Sequence, residues 1–263
     1  MDGSFAATDW DALLAARDAG APLPGGPLAS LFAPLLAPPS ASDGCVVVGR
    51  LAQTLDGRIA TLSGSSQWIG GHGDILHTHR LRALCHAVVV GAGTVRHDDP
   101  RLTTRECAGP SPVRVVLDTE RRLGAEPRVF GDDGPPTLVA CAADAPGPDR
   151  LGAAEVVRLP RDPTGGGLHL PSLLRLLAAR GLPRVFVEGG GVTVSRFLAA
   201  GCLDRLHVTV APVLLGSGIP AFTLPAAARI ADGLRFRWTP HALGEDMLFD
   251  IALGRARPAV CGA

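Results

Sequence analysis

The sequence predicts an α/β fold, a mostly parallel central sheet flanked by helices with an antiparallel edge at its C-terminal end. Three observations predict it. Short β-branched apolar runs recur at residues 45–48, 87–90, 113–117 and 184–187, and they read as buried strands. Helix-spaced stretches lie between strands, notably residues 74–85 and 168–180. After residue 205 strand follows strand without a helix, which suits an antiparallel edge.

The 263 residues, 46% hydrophobic and 19% charged, suffice for one large domain with a sizeable core. Lys+Arg and Asp+Glu both number 25. That balance argues against general nucleic-acid binding and against an anionic membrane surface, both of which need a basic excess. The first twenty residues carry Asp2, Asp9 and Asp11 and no apolar core of a signal peptide, and no apolar run approaches a membrane span. A cytoplasmic location is expected. The six cysteines form no C-x-x-C and read as free thiols in apolar runs.

Taken in order, residues 1–43 read as an N-terminal extension, 44–254 as the main domain and 255–263 as a tail. Residues 10–19 have helical spacing, and residues 28–36 are apolar enough to pack onto the main body. Residues 45–48 open the core. Leu55, Asp56, Gly57 and Arg58 make a tight turn, with Ile59 and Ala60 returning as a strand. A loop at 64–71 leads to the helix at 74–85. Strands at 87–90, 113–117, 137–140 and 155–159 follow, then the helix at 168–180, stopped by Gly181. Residues 184–201 read as strand, glycine turn and helix. A long strand at 205–215, and a final antiparallel pair at 234–238 and 247–253, complete the chain.

Loops at the carboxyl ends of parallel strands share one face. Those loops hold Ser66, Trp68, Thr94, Asp98, Asp99, Arg105, Asp118, Thr119, Glu188 and Arg196, and Arg82 on the preceding helix is near enough to join them. The run R-V-F-V-E-G-G-G-V-T-V-S-R is the most informative. Its glycines admit close backbone approach and its helix N-terminus attracts an anion, while Glu188 stands at the strand end. Two demands suggest themselves: a glycine-rich site for a dinucleotide pyrophosphate, and arginines with carboxylates for a phosphorylated polar substrate. His72, His77 and His79 lack a matched ligand set, so no metal is expected.

The combination L-A-Q-T-L-D-G-R-I-A, S-Q-W-I, R-L-R-A, G-A-G-T-V-R-H-D-D-P-R-L-T-T-R, V-V-L-D-T, V-E-G-G-G and A-P-V-L-L-G-S-G, over roughly residues 44–253, resembles one family. It is the reductase of bacterial riboflavin biosynthesis, the C-terminal half of the bifunctional deaminase–reductase, similar in fold to dihydrofolate reductase. The resemblance implies that residues 44–254 are a reductase domain using NADPH. The reaction would reduce the ribose of a 5-phosphoribosylaminopyrimidine, 5-amino-6-(5-phosphoribosylamino)uracil, to the ribityl form. A reductase of the non-deaminated diaminopyrimidine, or of a related specialised-pathway pyrimidine, and a non-catalytic nucleotide-binding regulator are the alternatives.

Carried over by position, the resemblance gives the cofactor Ala52, Trp68, Thr94, Asp98 and Thr119. Gly190, Gly191, Val192, Thr193, Val194, Ser195 and Arg196 would wrap its phosphates. It gives the substrate Ser66, Arg82, Leu102, Arg105 and Glu188. Arg82 and Arg105 offer forked donors to a 5-phosphate, and Glu188 accepts from pyrimidine N–H groups. Asp56 is a candidate proton donor, or only the cap of its Asp-Gly turn. Arg121 and Arg122 would reach the 2′-phosphate of NADPH, or are surface arginines. Arg50 stands where the family commonly has Lys. The zinc deaminase signature, H-x-E with P-C-x-x-C, is missing from the first third, so either a separate deaminase is expected as a pathway partner or a different pyrimidine as the substrate. Family members are usually dimers, so a homodimer is expected.

Overall fold

The computed structural model describes residues 7–19, 21–67, 69–131, 133–165 and 167–255. In chain order the elements are α1 (Ala7–Ala19), α2 (Pro27–Leu36), β1 (Val46–Thr54), β2 (Arg58–Thr61), α3 (His72–Leu84), β3 (Ala87–Gly91) and α4 (Ala92–Asp98). Then come β4 (Val113–Leu117), β5 (Thr137–Ala142), β6 (Arg150–Leu151), β7 (Ala154–Leu159), α5 (Leu170–Ala179), β8 (Arg184–Glu188) and α6 (Gly191–Ala199). The chain ends in β9 (Arg205–Ala211), β10 (Gly218–Pro220), β11 (Trp238–Leu243) and β12 (Asp246–Ala252).

Among the described residues, ten strands form one sheet in the order β11-β12-β9-β1-β8-β3-β4-β5-β7-β6. From β9 to β7 neighbours run parallel, while β12 with β11, and β6, add antiparallel edges. The parallel strands are buried on both faces, so β3, β5 and β8 are nearly continuous apolar runs rather than alternating ones. Strand β8 arrives late in the chain yet inserts between β1 and β3. Its end, Glu188, pairs in register with Arg50 on β1, which places that carboxylate near the middle of the sheet.

The helices bury one stripe each. Leu170, Leu173, Leu174 and Leu177 of α5 face the core at helical spacing. The N-terminal extension is packed against the main body, as its apolar stretch predicts. Leu28, Ala29, Leu31, Phe32 and Leu35 of α2 are buried, and Trp10 of α1 lies edge-on to Phe32 with ring centroids 6.1 Å apart. Cys45, Cys85, Cys141 and Cys202 are buried free thiols.

Several boundaries differ from the sequence reading, each for a local reason. Thr94 and Asp98, read as loop residues, lie in α4; its Gly91-Ala92-Gly93 start looks like a turn but only supplies the N-cap. The strand at 205–215 stops at Ala211, because Pro212 cannot donate to a ladder. The last hairpin pairs residues 238–243 with 246–252, not 234–238 with 247–253. Pro240 is tolerated because β11 is the edge strand. The returning strand after the Asp56 turn pairs with β10 in a separate two-stranded ribbon and not with the main sheet. No helix among the described residues is long and apolar enough to cross a membrane.

Candidate active site

Strands β1, β3 and β8 end on one edge, and their following segments enclose a cleft of about 430 Å³. Ala52, Ser66, Thr94, Asp98, Glu188 and Gly190 line it, so predicted cofactor and substrate residues meet in one place. Trp68 lies outside the described residues.

The side expected to take the cofactor is built from two glycine turns. Gly189 has φ +150°, a conformation only glycine adopts without strain. A β-carbon on Gly189 would lie 3.6 Å from the Thr94 hydroxyl, and one on Gly190 would lie 3.9 Å from it, so Thr94 stands directly over the turn. A β-carbon on Gly91 would lie 2.7 Å from the Thr193 hydroxyl, which draws the starts of α4 and α6 together. Helix α6 carries neither a capping side chain nor an acidic residue in its first turn. Its leading N–H groups therefore keep the positive end of the helix open to an anion. This arrangement fits a dinucleotide pyrophosphate.

The predicted run from Gly190 to its end divides by side chain. Gly190 lines the cleft and Val192 is exposed, but Val194 is fully buried in the core. Ser195, 1% exposed, accepts the Thr223 N–H at 2.9 Å. Arg196 lies over Gly167, where a β-carbon would come within 2.1 Å of its guanidinium. Helical periodicity forces this: only one face of α6 can meet a ligand. Thr119 does not line the cleft; its carbonyl accepts the Ala142 N–H. Asp118 is a turn cap, accepting N–H groups of Arg122 and Leu123. Arg121 donates to the Pro148 carbonyl at 2.8 Å. Arg122 instead lines a second groove of about 360 Å³ with Arg96, beside the end of α4.

The side expected to take the substrate is carried by α3. Asp74, Thr78 and Arg82 are four apart, so they form one buried stripe along the helix. Arg82 grips Glu188 in a forked pair, Nε to Oε2 at 2.7 Å and the terminal nitrogen to Oε1 at 2.5 Å. Its remaining terminal nitrogen donates to the Thr103 carbonyl at 2.9 Å. Burial alone would raise the Glu188 carboxyl, but the Arg82 charge and hydrogen bonds outweigh it and hold it below the usual carboxylate range. Glu188 is therefore an ionised acceptor.

Leu102 is 1% exposed with φ +55°, so its side chain belongs to the core and only its backbone is available to a ligand. A left-handed leucine costs roughly 1–2 kcal/mol. The bend it makes presents the next residue, Thr103, to Arg82. Arg105, like Arg82, does not line the cleft, and its N–H donates to His79 Nδ1 at 2.9 Å. Burial and then the neighbouring Arg82 lower its guanidinium below the ordinary range, placing two arginine charges side by side. Burial, with Arg82 and Arg105, pushes His79 down to about 4, so the ring between them is neutral. Glu188 offsets the Arg82 charge, so the positive charge that suits a phosphate rests on Arg105.

Asp56 belongs to its turn. It accepts from the Thr54 hydroxyl at 2.5 Å and from the N–H groups of Leu215 and Gly216 at 3.2 and 2.6 Å. It does not line the cleft, and the Thr54 hydrogen bond lowers its carboxyl, which disfavours a proton donor. The turn-cap alternative describes it. Asp99 turns away from Asp98 to bind the Arg128 N–H at 2.8 Å.

Two further charged residues reach the cleft unpredicted in this role. Arg50 and Asp74 line it and form a salt bridge. Arg50 carried a signal, since it departs from the family's usual Lys. Asp74 carried none, because an acidic residue in a helix's first turn has an ordinary explanation in the helix dipole.

A central parallel sheet with a glycine turn at a late-inserted strand, opening on a carboxylate–guanidinium pair, defines an oxidoreductase of the dihydrofolate-reductase-like fold. Residues 46–247 match the RibD C-terminal domain, and the chain belongs to that family of riboflavin-biosynthesis reductases. It is similar to the 2,5-diamino-6-ribosylamino-4(3H)-pyrimidinone 5′-phosphate reductase of Methanothermobacter thermautotrophicus, 37% identical over 215 residues, 78% of this chain and 96% of that protein. It is also similar to the riboflavin biosynthesis protein RibD of Bacillus amyloliquefaciens, 39% identical over 172 residues, 64% of this chain and 45% of that one. Among solved structures it resembles a diaminohydroxyphosphoribosylaminopyrimidine deaminase/5-amino-6-(5-phosphoribosylamino)uracil reductase from Thermotoga maritima. There the TM-score is 0.66 at 29% identity, covering 79% of this chain and 56% of that chain. The chain thus spans about half the length of the Bacillus and Thermotoga proteins and nearly all of the Methanothermobacter reductase.

Proposed function

We propose that this chain uses NADPH to reduce the ribose of a 5-phosphoribosylaminopyrimidine to the ribityl chain in riboflavin biosynthesis. One observation carries the reading. The turn after β8 offers the Glu188 carboxylate, clamped by Arg82, and immediately beyond it the glycine cradle beneath Thr94. Hydride donor and acceptor must meet, and this turn serves both sides of one cleft.

When bound, the nicotinamide supplies the hydride. The chain's own residues orient the partners, which is most of what hydride transfer asks of a protein. Gly189, Gly190 and the α6 N-terminus would hold the pyrophosphate, and Ala52 would flank the nicotinamide. Glu188 would accept N–H groups of the pyrimidine, while Arg82 and Arg105 would hold the 5-phosphate. Preference for the phosphorylated cofactor fits Arg122 and Arg96, which share their groove with Glu126 and with Asp99, the latter paired with Arg128. The enzyme would act in the cytoplasm, as a homodimer, with a deaminase on a separate chain.

The test is NADPH oxidation with the diaminopyrimidinone phosphate and with its deaminated uracil counterpart. Turnover of at least one is expected; NADPH binding with turnover of neither would refute the reading. Arg122→Ala should raise KM for NADPH about tenfold or more and leave KM for NADH unchanged, as loss of a charged phosphate contact predicts. Equal effects on both cofactors would remove Arg122 from the 2′-phosphate site.

A further inference from the structure

The segment after α4, residues 99–112, contains no helix or strand, yet two of its residues stand beside the Arg82–Glu188 pair. Thr103 offers its carbonyl to Arg82 at 2.9 Å, and its hydroxyl accepts from the Arg105 guanidinium at 2.7 Å. Glu188 offsets Arg82, so Arg105 brings the charge left for a phosphate. A loop residue aims its charge only as well as the loop itself is held.

This loop is closed at its neck and then held from two sides. Thr104 closes the neck, its N–H donating to Ser111 Oγ at 3.0 Å and its hydroxyl to the Pro110 carbonyl at 3.0 Å. Helix α3 holds one side, where the Arg105 N–H meets His79 Nδ1 at 2.9 Å. Helix α1 holds the tip. The Trp10 indole N–H donates to the Ala108 carbonyl at 2.9 Å, across 98 positions of sequence. The indole is fixed in turn. It is 6% exposed, lies edge-on to Phe32, and has the Arg80 guanidinium 5.5 Å from its ring centroid. Beside that bond Gly109, at φ +128°, has no room for a side chain. A β-carbon there would lie 2.7 Å from that of Ala83, the neighbour of Arg82, and 3.1 Å from a Leu14 methyl. The tip is therefore wedged between α1 and α3. With the neck closed, fixing Ala108 and Gly109 leaves Arg105 little freedom at the other end of the same short loop.

We propose that Trp10 is a positioning residue for the substrate's phosphate: from α1 it latches the loop at residues 104–111 and so sets where Arg105 stands. This rests on the assignment of Arg105 to the 5-phosphate made above. The family match begins at residue 46, so the latch is supplied by a segment outside it. Trp10 acts through the loop alone. Its loss weakens the hold on the phosphate ester and spares the pyrimidine ring and the cofactor.

The experiment measures, by calorimetry, binding of the two pyrimidine 5′-phosphates named above and of their dephosphorylated forms. The proteins are the intact chain, Trp10→Phe, Arg105→Ala and the double variant. Trp10→Phe keeps an aromatic ring and deletes the N–H. It should weaken binding of the phosphate ester about three- to tenfold, the reach of one hydrogen bond, and leave the dephosphorylated ligand and NADPH unchanged. In the Arg105→Ala background the same change should have no further effect, because the two residues act as one unit. Gly109→Ala pushes the loop off Ala83 with α1 intact and should give the same selective loss. A tryptophan that only holds the fold would lower Tm, would not discriminate between ester and dephosphorylated ligand, and would add its effect to that of Arg105→Ala. Equal loss on both ligands, no loss in either single variant, or additive loss in the double variant overturns the proposal. Selective loss without NADPH oxidation by the intact chain overturns the reductase reading alone. Failure of the intact chain to bind either phosphate overturns both.

Discussion

Replacing Glu188 by alanine should separate the two sides of the cleft. The substitution removes both acceptors of the Arg82 fork, at 2.7 and 2.5 Å, from a pair whose side chains are only 8% and 15% exposed. Stranding one member of a buried pair costs about 3–5 kcal/mol, and the residual exposure points to the lower end, about 3 kcal/mol. For a chain of this size that is a fall in Tm of roughly 6–12 °C. The substrate loses charged hydrogen bonds worth about 1.5–3 kcal/mol, or roughly 10- to 150-fold in KM. The cofactor should not notice, because Gly189 and Gly190 would offer it backbone rather than the Glu188 side chain. The assay pairs initial rates of NADPH oxidation with a fluorescence titration of NADPH binding. Glu188→Gln, which keeps one acceptor, should fall between the two in Tm and in KM. A variant that loses NADPH affinity while keeping its pyrimidine KM would show that the two sites have been interchanged.

Acid should loosen the protein through its histidines. His79 and His86 are each pushed down to about 4, by burial first and then by neighbouring arginines. Unfolded, they titrate near their ordinary value of about 6.5. The folded value is the lower one, so the native advantage is complete above about 6.5 and is lost as pH falls from there toward 4. By pH 5 each costs about 1–2 kcal/mol after allowance for solvent screening. Urea denaturation at pH 7.5 and pH 5 checks this; equal midpoints would refute it. Phe32→Ala should destabilise by about 3–5 kcal/mol, since the ring is fully buried against His77 and Trp10. A shift in urea midpoint worth under 1 kcal/mol would mean that α2 contributes little to the fold.

The parallel core was legible because buried strands write themselves as unbroken apolar runs; the edges of residues 113–117 agree with β4 to the residue. Glu188 and its glycines were legible because their roles are local, a strand end and a turn. What escaped depended on distant contacts. Asp56 looks the same in sequence whether it meets a ligand or the amides of Leu215 and Gly216, some 160 positions away. Val194 and Ser195 were included with the phosphate cradle because a contiguous run hides the fact that a helix shows a ligand only one face. Asp74 became visible only when β1 brought Arg50 beside it.

The N-terminal helices gain a reason from the same geometry. Helix α3 carries one member of each cleft pair, Asp74 in its first turn and Arg82 in its last. Between them His77 stacks on Phe32 of α2 at 5.5 Å and contacts His207 of β9 at 3.0 Å. Helix α1 fastens the far end, where Arg17 donates to the Leu84 carbonyl, and Trp10 donates to the Ala108 carbonyl nearby. A helix clasped at its middle and its end by α1, α2 and the sheet cannot shift along its axis without breaking those contacts. Any such shift would carry Asp74 and Arg82 together relative to Arg50 and Glu188, which the sheet fixes in register. The extension thus packs on the helix that carries Asp74 and Arg82, although neither α1 nor α2 lines the cleft.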